Sequence, residues 1–213
     1  MFSIANPTQV RSKQALERFL NVAAVQLANN TFEETGIAQL AQLAESSVGT
    51  FYRLLGDKDV LLYAVHSRLV EQGESAVDAL SKQLSLSELP LNGKIESFVL
   101  AVTELFAGNE GLLRALIRRS SADLQFRQRF HHINAYISQA FSQVVLAHAD
   151  ELQHPQPAQA ADLAAQILIA SMNYFTLVGS FGSTPPKVIP YELACVICSY
   201  LQASPPSTHT VPT

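Results

Sequence analysis

Between Thr35 and Lys58 the chain sets out short hydroxyl side chains, a phenol, a guanidinium and an ammonium at close spacing: Ser46, Ser47, Thr50, Tyr52, Arg53 and Lys58. This set contains no nucleophile with a base beside it. Its chemistry is hydrogen-bond donation to anionic oxygens and to base edges. Arg53 alone can bridge guanine O6 and N7, a contact worth about 1–3 kcal/mol of discrimination. Ser46, Ser47 and Thr50 are short donors for phosphates or bases. Gly49 lets another backbone approach closely. Val48 fits either against a thymine methyl or under Phe51, and periodicity does not choose between them. Thr35 and Gly36 open a helix, where free backbone N–H groups suit a phosphate.

Such residues work only if short helices present them. Ile37, Leu40, Ala41 and Ala44 fall at i, i+3, i+4, i+7, the apolar face of one helix, with Thr35 as candidate N-cap. Glu45-Ser46-Ser47 interrupts that pattern with cap chemistry. A second short helix follows, with Phe51 and Leu55 turned inward; Gly56-Asp57 closes it, and Asp57 caps a further helix from Lys58. Helix, tight turn, helix, with Ala41, Ala44 and Gly49 near the crossing, is the layout of a helix-turn-helix DNA reader.

This stretch resembles the N-terminal domain of TetR-family transcriptional regulators, whose pattern runs I-A-x-x-A-G-V-S-x-G-T-L-Y-x-H-F-x-S-K-E-x-L. The matching residues are Thr35, Leu40-Ala41, Ala44, Ser47, Gly49-Thr50-Phe51-Tyr52, Leu55, Asp57-Lys58-Asp59 and Leu61. The closest match covers the first third of the chain. The family's turn Gly is Glu45 here, its following Val is Ser46, and the residue before Gly49 is Val48. Thr31 stands where a Gly usually separates the first two helices, with Asn29-Asn30 beside it; Asn tolerates the left-handed conformation that such a turn requires. The resemblance implies that Tyr52 and Lys58 hold phosphates, that the protein is a homodimer reading a palindromic operator, and that a small-molecule effector acts through the fourth helix.

The 213 residues, 48% of them hydrophobic, suffice for a small head and a larger body with a substantial core. Net charge is −4. Within residues 1–58, Arg11, Lys13, Arg18, Arg53 and Lys58 are balanced by Glu17, Glu33, Glu34, Glu45 and Asp57. A neutral head excludes a protein that clings to nucleic acid by bulk charge, so specific binding would rest on a few placed contacts. The N-terminal MFSIANPTQV has no basic cluster and no long apolar run, so no secretory signal is expected, and the cytoplasm is the expected location. The most apolar stretch, Leu163 to Val178, is shorter than the ~20 residues of a membrane span and reads as a buried helix.

Along the chain, helix 1 is expected over Arg11–Asn29, with Leu16, Phe19, Leu20, Ala23, Ala24 and Leu27 inward, after a flexible arm over residues 1–10. Arg11 and Lys13 either contact phosphate from that arm or are solvated. Phe32 is expected to plug the small core. Lys58 opens a long helix through about Leu84. Further helices are expected from Ile95 to Gly108, from Leu112 to Ser120, from Asp123 to about Ala149, from Ala158 to Val178 and from Tyr191 to Ala203, with a loop over Gly179–Pro190. The last two are apolar on most sides, which fits one face on the body and the other on a second copy.

Other candidates are weaker. Cys195-x-x-Cys198 lies in an apolar helical run; at i, i+3 the Cβ atoms are about 5–6 Å apart, whereas a disulfide needs about 3.5–4.5 Å. Glu151-x-x-His154 has the form of a di-metal helical motif but lacks the second pair that chemistry needs. His131-His132 can line a pocket or be solvated. Arg118-Arg119 reads as a solvated face able to pair with acids of helix 4.

The expectation is therefore an all-α chain of about nine helices. Residues 10–56 form a helix-turn-helix DNA-binding domain, residues 57–203 a ligand-binding and dimerisation domain, and 204–213 a disordered tail. Its partners would be double-stranded DNA with a palindromic operator, a second copy through the last two helices, and an apolar or amphipathic effector. Phe98, Phe106, Phe141 and Phe175 are candidates to line the effector pocket, or plain core at the same spacing. No catalytic residue, cofactor, metal or membrane contact is expected. The alternative is a helical-bundle enzyme or metal-binding protein using the N-terminal motif as scaffold.

Overall fold

The structure, a computed structural model, describes residues 10–201. The expected arm before Val10 and the expected tail from Ser204 lie outside them. Among the described residues the chain forms nine α-helices: α1 Val10–Ala28, α2 Ile37–Leu43, α3 Val48–Leu54, α4 Lys58–Leu86, α5 Leu91–Ala107, α6 Glu110–Ala122, α7 Leu124–Leu146, α8 Pro157–Val178 and α9 Ile189–Leu201. The all-α expectation holds; an isolated bridge between Phe181 and Thr184 is the one β feature described.

Packing divides the chain into two compact units. The first runs to Gln72 and includes Asn109–Phe130; the second is Gly73–Gly108 with the chain from His131 onward. The boundary thus falls within α4 rather than at its start, and α6 belongs to the first unit.

In the first unit, Phe19 of α1 and Phe51 of α3 are fully buried and meet edge to face, with centroids 5.3 Å apart. Leu40, Ala41 and Ala44 of α2, Leu61 and Val65 of α4, Leu116 of α6 and Phe126 of α7 surround them. Phe32 plugs this core as expected, at 3% exposure. Burying both Phe rings, about 1.5–3 kcal/mol each by transfer, anchors α2 and α3, which at seven residues each would not form alone. Gly111 is required by close approach, because a Cβ there would lie 2.4 Å from the Ala28 carbonyl oxygen. His66 is buried beside Phe126. Arg129 donates to its Nδ1 (3.2 Å), to the Tyr63 hydroxyl (2.6 Å) and to Ser67 Oγ (2.8 Å). Burial, and secondarily the Arg129 charge, push the His66 imidazolium down to about 4.

The second unit is built on α5, whose Ile95, Phe98, Val99 and Val102 are buried, packed against α8 and α9. Ala160, Ala161, Ala164 and Ala165 give α8 a fully buried small-residue face. Its opposite face is apolar yet exposed, carrying Leu163, Tyr174, Leu177 and Val178, with Val196 on α9. The helix expected over Ala158–Val178 runs from Pro157 to Val178, and its 22 residues are long and apolar enough by length and composition to cross a membrane. Its alanine face is instead occupied by protein.

Several helix ends depart from the sequence reading: α5 begins at Leu91 rather than Ile95, and α6 runs Glu110–Ala122 rather than Leu112–Ser120. α7 stops at Leu146, and a short 3-10 turn follows over Ala149–Glu151. α9 starts at Ile189, because Pro190 in the first turn costs no hydrogen bond there. Thr35 is not the cap of α2; Gly36 is. Two expected caps are present: Ser47 Oγ accepts from the Thr50 N–H at 3.1 Å, and Asp57 Oδ1 from the Val60 N–H at 2.8 Å.

Candidate nucleic-acid interface

The helix-turn-helix closes through two chain reversals of the same kind. After α1, Asn30 adopts φ 57°, with Asn30 N–H donating to Leu27 and Thr31 N–H to Gln26. After α2, Glu45 adopts φ 47°, with Glu45 N–H donating to Gln42 and Ser46 N–H to Ala41. Both are the paired bonds of a left-handed C-terminal cap, which usually employs Gly. Asn30 supplies the turn as anticipated. Glu45 does so at a steric cost that Gly would avoid. Arg18, a residue read from sequence only as a charge, donates from Nε to the Ala44 carbonyl at 2.8 Å and ties α1 to this turn.

The outer side of α3 presents Val48, Gly49, Tyr52 and Arg53, all exposed. Val48 is 40% exposed, so part of its side chain faces outward. Tyr52 packs its ring edge to face with Phe51, centroids 5.8 Å apart, and leaves the phenol outward. Arg53 reaches Ser12 Oγ of α1 at 3.4 Å, a long contact that leaves most of its donors free. Gly49 has helical geometry and only Ser47 Oγ, at 3.8 Å, within reach of a Cβ. Nothing among the described residues requires glycine there.

Other expected donors are already engaged. Thr35 is buried, its single hydroxyl proton shared between the Thr31 carbonyl (2.7 Å) and Gln26 Oε1 (3.0 Å). Its backbone N–H is taken by Thr31 as well, at 3.1 Å. The expectation of a free N–H at Thr35 therefore fails, and Gly36, as N-cap, is the first residue of that helix end still open. Ser47 and Thr50 hydroxyls bond each other at 2.9 Å. Ser46 is half-buried in the turn. Lys58 donates to the carbonyls of Phe32 (2.7 Å) and Glu33 (3.0 Å) and covers the Phe32 ring. Gln26, buried halfway on α1, was missed as an acceptor for Thr31 and Thr35; its signal was a polar side chain on an otherwise apolar helix face.

Of the four phenylalanines, Phe98 and Phe141 are fully buried against each other, centroids 5.3 Å apart. Phe106 is buried elsewhere on α5. Phe175 stacks on Phe181, which also meets Tyr174. The structure thus pairs two of them and separates the others.

The weaker candidates find ordinary partners. Arg119 pairs with Asp59 of α4 at 3.0 Å. Glu151 accepts from His148, and His154 from the Gln156 N–H, so the Glu151–His154 spacing builds no shared site. His132 bonds Glu74 at 2.7 Å. Cys195 and Cys198 are free thiols, and burial pushes Cys198 up to about 12, where it is unreactive. No group of three or more potential metal ligands occurs among the described residues.

No protein-family model matches the sequence, and no curated protein matches it either. Solved structures do. One, assigned to the TetR-family transcriptional regulators, from Mesorhizobium loti, superposes with a TM-score of 0.72 over 91% of this chain and 98% of its own, at 17% identity. A tetR-family regulatory protein from Rhodococcus superposes at 0.67 over 89% and 98%, at 16% identity. The transcriptional regulator FadR from Bacillus subtilis, solved with stearoyl-CoA, superposes at 0.67 over 86% and 98%, at 14% identity. The chain has the fold of the TetR-family transcriptional regulators.

Proposed function

We propose that this protein is a sequence-specific, DNA-binding transcriptional regulator that acts as a homodimer and releases its operator on binding a small molecule. The observation that carries the reading is the outer face of α3. Gly49 in an exposed helix costs about 0.5–1 kcal/mol relative to Ala, and among the described residues no atom needs the space. A backbone arriving from outside does. Around it stand an outward phenol at Tyr52, an accessible guanidinium at Arg53 and an exposed Val48. In a major groove, Arg53 reads guanine and Val48 meets a thymine methyl. Gly36, Ser46, Ser47, Thr50, Tyr52 and Lys58 then serve as phosphate contacts, the hydroxyls of Ser47 and Thr50 turning from each other to do so.

The exposed apolar residues of α8 and α9, among them Leu163, Tyr174, Leu177 and Val196, support pairing with a second copy, because apolar surface is unfavourable in water. Pairing sets two heads at a fixed spacing and calls for a palindromic site. The FadR neighbour binds an acyl-CoA; for this chain the effector is proposed as an apolar or amphipathic molecule. Opening of the Phe98–Phe141 pair would admit its apolar part, with α4 transmitting the change. A bound metal or turnover would favour the helical-bundle enzyme instead.

Selection from random duplex DNA with purified protein tests the reading. A palindrome with equal half-sites is the expected product, and an absence of enrichment at moderate salt refutes it.

A further inference from the structure

At the ends of α4, α5 and α7 within the second unit lies a cleft of about 400 Å³, the size of a small-ligand site. Leu84, Ala140, Val144 and Ala147 make its apolar wall. Its polar side is Ser81, Lys82, Ser85, Lys94, Gln143 and His148. Lys94 is only 6% exposed. Lysine is almost never buried so deeply unless paired, yet no carboxylate lies within ion-pair distance of it among the described residues. Its ammonium instead donates to His148 Nε2 at 3.0 Å. Because lysine is the donor, Nε2 must accept, so the proton of the ring sits on Nδ1 and is donated to Glu151 Oε1 at 2.8 Å.

Three further facts point the same way. An ammonium has three N–H donors and this one uses one. Ser81 Oγ is buried with no hydrogen-bond partner. Lys94 also stands in the first turn of the 17-residue α5, whose N-cap Pro90 offers no side-chain acceptor. The positive end of the helix therefore adds to the lysine charge rather than offsetting it.

We propose that this cleft binds a small amphipathic carboxylic acid. The carboxylate takes the two spare N–H groups of Lys94 and the Ser81 hydroxyl, and the apolar body lies along Leu84, Ala140 and Val144. A single ammonium with one hydroxyl suits two carboxylate oxygens; it lacks the guanidinium fork or backbone nest that phosphate sites use. His148, held by Glu151, positions the lysine. The site is distinct from the phenylalanines considered above, and it does not depend on the chain acting at DNA.

Calorimetric titration of the free protein with octanoate, 1-octanol and inorganic phosphate tests this, with no DNA present, so its failure and that of the DNA reading are told apart. Octanoate is expected to bind, with octanol and phosphate at least about tenfold weaker. Lys94→Met is expected to weaken octanoate about ten- to hundredfold, the loss of a charged hydrogen-bonding partner, without loss of helical signal, since it removes a buried charge. Ala140→Leu, which keeps the lysine and fills the cleft, should weaken it too. Octanol or phosphate binding as tightly as octanoate, no octanoate binding, or unchanged affinity in Lys94→Met overturns the proposal.

Discussion

The Lys58 ammonium donates to the Phe32 carbonyl at 2.7 Å and sits 4.7 Å above the ring of that same residue. One side chain thus fastens the first turn of α4 to the segment that leads into α2. Two of its three donors are used in this way, so a phosphate can claim only the third. Lys58→Met is expected to cost about 1–2 kcal/mol of stability, a charged hydrogen bond reduced for partial exposure. On the proposed operator it should also flatten the dependence of log affinity on log salt by about one unit. Denaturant melts and binding at several salt concentrations separate the two; an unchanged slope leaves Lys58 a purely structural role.

Glu45 at φ 47° occupies a turn position suited to glycine, and it places a negative charge at the negative end of α2. Glu45→Gly relieves a steric cost of about 1–2 kcal/mol and loses about 0.5–1 kcal/mol to chain entropy. A net gain of about 0.5–1 kcal/mol is expected, measurable by chemical denaturation. A loss of stability would show that the carboxylate has a role in this turn.

Gly111→Ala tests the packing of α6 on α1. The added Cβ would lie 2.4 Å from the Ala28 oxygen and 2.7 Å from its Cα, both backbone atoms that cannot swing aside. Destabilisation of about 1–3 kcal/mol is expected. Gly49→Ala, where a Cβ meets only Ser47 Oγ at 3.8 Å on an exposed helix face, is the matched control and should be neutral to slightly stabilising.

His66 should make the protein acid-sensitive. Its ordinary value is 6.5 and burial beside Arg129 lowers it to about 4. Above pH 6.5 neither folded nor unfolded chain holds the proton, and the residue contributes nothing to pH dependence. As pH falls from 6.5 to about 4, the unfolded chain takes up the proton first, so stability is lost across that window. The full loss, on the order of 3 kcal/mol, is reached below about pH 4. Urea melts from pH 7.5 to 4.5 should fall less steeply for His66→Gln than for the natural chain; parallel curves would contradict the assignment.

Much of the first unit was legible because its determinants are local. The inward spacing of Phe19, Leu40, Phe51 and Leu55, the caps at Ser47 and Asp57, and the left-handed turn at Asn30 all follow from periodicity and backbone preference over a few residues. The all-helical class and the apolar character of the last two helices followed for the same reason. Long-range contacts were not legible. Thr35 was read as an open cap, but Gln26 on another helix takes its hydroxyl. Lys58 is expected from the resemblance to hold a phosphate, but carbonyls 25 and 26 residues earlier take two of its donors. Periodicity could say only that Val48 lay near a helix boundary, not which side of it met water. Lys94 and His148 are 54 residues apart, and no local signal joins them. Sequence alone determined which segments become helices and where the chain reverses, since those are local free energies. Tertiary structure alone decided which donors are already satisfied and which remain open, since a hydrogen bond between distant residues depends on how whole helices pack.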